Sequence, residues 1–435
     1  MVKVVVIGGG WAGSAAALAA RKAGAQVTLL ERTDMLLGTG LVGGIMRNNG
    51  RYTATEENIA LGAPELFEAV DETARHRNID FPGHKHATLY DVAKIEPAVK
   101  AKLLQAGVEI HFQARFTDVK KEGERIIGVI AEGVGLVEGD VFVDATGTAG
   151  PQGNCTKYGN GCAMCILRCP SFGPRVSVAG KAGVQEIIGK KADGSFGAMS
   201  GSCKLHKESL SHEIVEELNR TGVKIVPIPE ELQKKGALES KACQQYALKE
   251  FAENVILLDT GHAKLMTPYY PLEMLRQIPG FENARFEDPY AGGIGNSMRY
   301  LAMSPRANTL QVNGVENLFC GGEKAGLLVG HTEAIVTGTL AGHNAVRFAL
   351  GMELLTLPTD LAIGDAIDYV GKQMKTEEGL KFKYTFSGSV YFERMKQLGL
   401  YTTDVNVIKA KVEKLGLAGI YAKKLVQNVQ ENAAK

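Results

Sequence analysis

"KVVVIGGGWAGSAAALAARKAGAQVTLLER", Lys3 to Arg32, decides the fold of this chain. Val4 to Ile7 is an unbroken apolar run of the kind that a strand buried on both faces requires. Three glycines follow, then an alanine-rich helical stretch, then a second apolar strand that closes on Glu31. The order is strand, turn, helix, strand, a βαβ unit. Gly8, Gly10 and Gly13 stand at the G-x-G-x-x-G spacing, which allows a tight turn, a close backbone approach to a pyrophosphate and close helix packing. The phosphate charge then lies at a helix N-terminus. Glu31 ends the second strand, where a carboxylate can accept hydrogen bonds from a ribose. A lone glycine triplet is a weak signal, but the strand before it, the helix behind it and the terminal acid together specify dinucleotide binding.

Outward from this unit, Leu36 to Tyr52 is rich in glycine and polar residues and is predicted to wrap a ligand as a loop. A helix is expected over Asp91–Ala106, then strands near Val108–Phe112, Arg115–Val119, Ile126–Ala131 and Gly135–Glu138. "GDVFVDATGTAGP" adds a buried strand that ends in the turn Ala145, Thr146, Gly147. From Gly150 to about Asp288 the pattern changes, with a helix predicted over Glu208–Thr221 and strands near Val223–Pro227 and Asn254–Thr260. A last strand, from Asn317, runs through Gly321, Gly322 and Glu323 to Gly330 and into a long alanine- and glycine-rich helix. Beyond Gly351 the pattern is helical. Residues 371–435 carry twelve Lys and Arg against six Asp and Glu, a solvated helical face or a surface for RNA.

The 435 residues suggest two or three domains with a large core. Charge is balanced, with 49 Lys and Arg against 48 Asp and Glu, so the whole chain is drawn neither to nucleic acid nor to anionic membrane. The uncharged run from Val4 to Ala20 falls short of the roughly 20 residues of a membrane span and contains four glycines. Seven cysteines, an odd and clustered set, predict a reducing, cytoplasmic compartment.

Four of those cysteines, Cys155, Cys162, Cys165 and Cys169, fall within "NCTKYGNGCAMCILRCPSFGP", Asn154 to Pro174. The last three read C-x2-C-x3-C-P, the tail of a bacterial ferredoxin ligand run. A [4Fe–4S] cluster is the leading expectation. A dithiol exchanging electrons with a nearby cofactor, a zinc site and unliganded thiols stay open. Among single residues, His331 begins the late helix, where it can donate to a cofactor or substrate. Cys320 ends the late strand, and Arg299 and Arg306 flank a segment suited to an anionic substrate. Tyr269, Tyr270, His84 and His86 are further pocket candidates.

The first glycine turn with Glu31, the Ala145-Thr146-Gly147 turn and the Gly321-Gly322-Glu323 turn leading to Gly330 together resemble the two-dinucleotide-fold flavoproteins. Within them, "CGGEKAGLLVGHTEAIVTGTLAGHNAV" is most similar to the closing motif of the GidA and TrmFO group, which modifies tRNA uridines. The four-cysteine run departs from that group. The resemblance implies FAD, with the first turn at its pyrophosphate, Glu31 at its adenosine ribose and the late helix at the pyrimidine end of its ring. The fold class expected is α/β. A Rossmann-like FAD-binding domain, a parallel sheet with helices, occupies 1–150 and 291–350. An α+β substrate domain is inserted at 151–290, and a helical region covers 351–435. The activity expected is an FAD-dependent oxidoreductase coupled to the four-cysteine site, acting on a small molecule or a redox protein. A flavin-dependent tRNA or rRNA uridine modifier and an electron-transfer subunit are the alternatives, and an oligomer stays open.

Overall fold

The apolar run at Lys3–Ile7 (β1) becomes the middle strand of a five-stranded parallel sheet in a computed structural model of the chain. The structure describes residues 1–148, 168–196, 198–200, 203–234, 236, 238, 246–267, 270–287 and 297–426. On one side of β1 lie Val141–Asp144 (β4) and then Leu318–Cys320 (β5); on the other lie Gln26–Leu30 (β2) and then Glu109–His111 (β3). The register pairs Val6 with both Val143 and Leu29, and Asp144 with Cys320. Strands 170 residues and more apart in sequence therefore end together at one carboxyl edge, where open α/β sheets bind ligands.

Helix α1, Trp11–Lys22, packs on the sheet with its first ten residues buried. Its partner is the long late helix His331–Ala349 (α3). A Cβ on Gly338 would stand 2.1 Å from the Ala12 carbonyl oxygen, and one on Gly342 would stand 2.1 Å from that of Ala16. Glycines four residues apart make one face of α3 flat, so the two backbones touch directly.

The wrapping loop predicted over Leu36–Tyr52 is shorter than expected. A turn of 3-10 helix covers Gly38–Val42, a two-residue strand covers Ile45–Met46, and helix α2 runs from Gly50 to Ala60. Its sequence, GRYTATEENIA, shows no apolar stripe because the side chains it buries are polar: Arg51, Thr53, Thr55, Glu57 and Asn58. The hairpin Ala74–Phe81 and His84–Tyr90 is likewise absent from the sequence expectations. The helix expected from Asp91 occupies Ile95–Gln105, and the one expected from Glu208 occupies His212–Thr221, capped by Ser211 Oγ on the Ile214 N–H at 3.4 Å.

A separate antiparallel sheet runs in the order Cys203–Leu205, Ala263–Leu265, Asn254–Asp259, Val223–Pro227. The hairpin packs on this unit: Ile45, Phe81, Ala87 and Leu89 share an apolar cluster with Phe251, Ile256, Leu258 and Met266. The C-terminal region is helical at Ala362–Gln373 (α4), Ser389–Gln397 and Val405–Lys414. It is stitched to α2 by Glu57, whose carboxylate accepts from the Ala362 and Ile363 N–H groups at 2.9 and 3.0 Å, at the start of α4.

Burial pushes the Glu57 carboxyl up to about 7, the two backbone donors offsetting only part of the effect. The folded state thus keeps a proton that the unfolded chain releases near pH 4.5. Stability is therefore expected to fall as pH rises from about 4.5 to about 7 and to level off above, by about 3 kcal/mol. Urea midpoints measured across this window should show the slope in the wild type and a flatter profile in Glu57→Gln. Parallel profiles would refute the assignment.

Candidate active site

At the carboxyl edge of the sheet one cleft is lined by the β1–α1 turn, by Leu30–Arg32 after β2, by Ala114–Phe116, by Ala145–Thr148 after β4, and by Gly321–Glu323 after β5. Gly38–Thr39, Val42–Gly43, Ile45, Arg51, Arg175, Tyr246, Lys264, Met266 and Val329–His331 complete its walls. Two glycines of the first motif are required by the fold itself, and the third leaves open space. Gly8 has φ +99°, and a Cβ there would lie 2.4 Å from the Ala145 carbonyl oxygen. A Cβ on Gly13 would lie 1.7 Å from the Gly8 oxygen. Around Gly10 nothing approaches within 4 Å, and the same holds at Gly38 and Gly147. Bare backbone therefore faces open cleft at the N-terminus of α1, whose N-cap carries no side-chain hydrogen bond. A cradle that a side chain would fill, beside unclaimed helix N–H groups, fits a diphosphate.

Glu31 is buried; its two oxygens accept from the Gly9 N–H at 2.7 Å and the Thr33 N–H at 2.8 Å. A carboxylate has about four acceptor sites, so it can hold the turn and still receive ribose hydroxyls. After β4, Asp144 shapes the second turn. Its Oδ1 accepts from the Thr146 N–H (3.1 Å) and Oγ1 (2.6 Å), and its Oδ2 accepts from the Ala179 N–H (3.2 Å). In the third turn Gly322 donates its N–H to Thr337 Oγ1 at 2.8 Å, and Glu323 accepts from Thr148 Oγ1. Gly330, with φ +151°, is the N-cap of α3, where a Cβ would stand 2.1 Å from Arg51 Nη2. His331 follows on the cleft wall, its Nδ1 3.4 Å from Tyr90 Oη.

Other expected site residues lie elsewhere. Cys320 is fully buried in the core, its Sγ donating to the Leu310 carbonyl at 3.6 Å, and burial pushes its thiol up to about 12. That is a packing position, and Cys320 is not among the cleft residues. Arg306 clamps backbone instead of an anion, donating to the carbonyls of Ala325 and Ile367 at 2.8 Å each. Arg299 ends the short strand Ser297–Arg299; its side chain lies outside the described residues. Tyr270 donates to the Leu232 carbonyl, and Tyr269 lies outside the described residues. His84 is buried against Phe81 and Asn48, and His86 meets Asn78 on the hairpin. Cys155, Cys162 and Cys165 also lie outside the described residues. Cys169 opens the short helix Cys169–Phe172, with Arg32 Nη1 3.8 Å from its Sγ. Arg32 lines the cleft next to Glu31.

The sequence reading missed the charged residues that tie the walls together. Arg51 of α2 places Nε 3.1 Å from both carboxylate oxygens of Glu333 on α3, with both side chains buried. Glu333 Oε1 also accepts from the Phe386 N–H at 2.8 Å. Lys264 donates to the Val42 carbonyl from the separate antiparallel sheet. Lys324, fully buried beside the third turn, meets Glu186 and lies 3.8 Å from Asp144. Burial brings its ammonium down to about 7. Its one sequence signal is a lysine inside an otherwise apolar and glycine-rich strand-turn.

A family model described as glucose inhibited division protein A matches residues 3–267 and 260–353. The chain is 32% identical over 123 residues to the methylenetetrahydrofolate–tRNA-(uracil-5-)-methyltransferase TrmFO of Desulfotalea psychrophila, a span of 28% of this chain and 27% of that protein. It is 41% identical over 97 residues to the tRNA uridine 5-carboxymethylaminomethyl modification enzyme MnmG of Chlorobaculum tepidum, covering 22% and 15% respectively. The similarity thus spans less than a third of either relative. Among solved structures, Aquifex aeolicus GidA superposes with a TM-score of 0.66 at 18% identity, over 95% of this chain and 76% of that one. Among the described residues, no helix is long and apolar enough to cross a membrane.

Proposed function

The chain belongs to the glucose inhibited division protein A family, and from that premise we propose that it is an FAD-dependent enzyme that modifies a tRNA uridine at C5. The observation that carries the cofactor is the single cleft in which bare glycine backbone at Gly10 and Gly147 lies between Glu31 and the N-terminus of α3. The names of the relatives carry the substrate, since both are described as acting at position 5 of a uridine in tRNA. The excess of basic residues over 371–435 is consistent with an RNA partner. This reading takes up the uridine-modifying alternative and sets aside the iron–sulfur relay. The family and the relatives' names favour that alternative; of the four cysteines of the expected cluster, Cys155, Cys162 and Cys165 lie outside the described residues and Cys169 sits beside Arg32.

In this proposal the Gly8–Gly13 turn and the first N–H groups of α1 hold the pyrophosphate, and Glu31 holds the adenosine ribose. Glu323 and Gly330 border the remainder, with the division of the chain into 1–150 plus 291–350 around an inserted 151–290 as its domain plan. When bound, FAD supplies two-electron redox chemistry. The chain supplies position, a cleft with Tyr246 and Met266 in its walls, and an imidazole at His331 whose Nδ1 lies 3.4 Å from Tyr90 Oη. That imidazole is the proton carrier at the wall where substrate must arrive.

Denatured protein should release FAD in near-stoichiometric amount, and mass spectrometry of tRNA incubated with the protein should find a new group on a uridine C5. A reconstituted protein without flavin would sink the proposal. Glu31→Ala is expected to weaken FAD retention about tenfold or more while leaving reduction of the flavin that stays bound unchanged. Fluorescence of released flavin and anaerobic reduction measure the two separately. Unchanged occupancy with lost reduction would move Glu31 away from the ribose.

A further inference from the structure

Arg175 lies on the loop between Cys169–Phe172 and the short helix Val178–Lys181, and it lines the cleft. Its side chain is 4% exposed. A guanidinium keeps its charge wherever it is placed, so the fold has buried a cation here. Its neighbours satisfy it poorly. Nη1 is 3.4 Å from Thr146 Oγ1, Nη2 is 3.7 Å from Glu186 Oε2, and Nε has no hydrogen-bond partner among the described residues.

The two nearby carboxylates are occupied elsewhere. Asp144 receives Thr146 and Ala179 as described, and Glu186 Oε1 accepts from Ser177 Oγ at 2.6 Å and from Lys324 Nζ. Arg32, on the same wall, repels Arg175 electrostatically. Lys324 thus holds Glu186 and lies 3.8 Å from Asp144, and neither carboxylate makes a close bidentate pair with Arg175. A buried cation lacking a bidentate partner is costly unless an anion completes it.

We propose that Arg175 completes its hydrogen bonding on a phosphate of the bound dinucleotide, reaching it from the Thr146 side of the cleft while the Gly10 turn supplies backbone N–H groups. The assignment rests on the FAD reading above. It places a charge-assisted contact outside every glycine turn, on a segment that the motifs do not mark.

The test uses the full-length chain, freed of flavin and titrated with FAD, as wild type, Arg175→Met and Arg175→Lys. Arg175→Met is expected to raise the Kd for FAD about tenfold or more and to flatten its salt dependence. The lysine variant should recover part of the affinity. The flavin-free melting temperature should stay level or rise, because an unsatisfied buried charge has gone, while the increase produced by FAD shrinks. A melting temperature that falls without flavin while the FAD-induced increase persists would show an internal structural ion pair and overturn the proposal. FAD binding indistinguishable from wild type would overturn it too, as would loss of tRNA retention alone, which would assign Arg175 to an RNA phosphate. Should Arg175→Met fail to fold, wild-type affinity in Arg175→Lys overturns the proposal and weakened affinity supports it. A wild-type chain that binds no FAD refutes the cofactor reading before any substitution is made.

Discussion

Gly338→Val is expected to leave no folded protein to assay, and Gly338→Ala to lose about 3 kcal/mol or more of stability. The Cβ position at Gly338 lies 2.1 Å from the oxygen, 2.7 Å from the carbonyl carbon and 2.8 Å from the Cα of Ala12. These are backbone atoms in the first turn of α1, so no side-chain rotation relieves the overlap and the helices must separate. Separation drags the β1–α1 turn away from Ala145 and opens the cleft. Helix propensity argues the other way, since alanine is favoured over glycine by about 1 kcal/mol in a helix interior, so the sign of the effect decides between them. Urea denaturation of Gly338→Ala measures it directly. A variant at least as stable as wild type would show that α1 and α3 do not meet through their backbones at this point. The companion position, Gly342 against Ala16, makes the same demand about one turn deeper.

The second large effect is expected at Arg51 and Glu333. Arg51→Met leaves the Glu333 carboxylate buried with the Phe386 N–H as its remaining donor among the described residues, at a cost of about 3–5 kcal/mol. The double variant Arg51→Met, Glu333→Gln should recover much of that loss, because the pair is removed together and no charge is stranded. A double-mutant cycle on urea midpoints gives the coupling. Since Gly330 lies against both side chains, flavin retention should fall with Arg51→Met as well. A single Arg51→Met variant with wild-type stability and wild-type flavin content would refute the role of the pair in setting the N-terminus of α3.

What was legible in the sequence was what local pattern carries. The continuous apolar run of β1, the glycines at 8, 10 and 13 and the acid at 31 specify a strand, a turn and a helix through short-range sterics alone. Resemblance of the closing stretch from Cys320 to Val346 indicated that a second turn belongs to the same class of site. The parallel sheet then follows from topology, because consecutive strands in one sheet are joined by right-handed crossovers. The position of His331 at a helix start was readable in the same way.

Tertiary structure alone decided which charges share the cleft walls. Arg51 and Glu333 are 282 residues apart in sequence, and α2 looked like loop because the side chains it buries are polar and are satisfied by distant helices instead of by an apolar face. Arg175 and Lys324 carry no motif; each becomes meaningful only when burial removes water and leaves a cationic group to be matched by its surroundings. Cys320 shows the converse, a reactive residue type at an attractive position in sequence that packing makes inert. Local sequence determines backbone geometry because φ, ψ and side-chain period act over a few residues. The energy of a buried charge depends on everything within several ångströms of it, and only the folded chain brings that surrounding together.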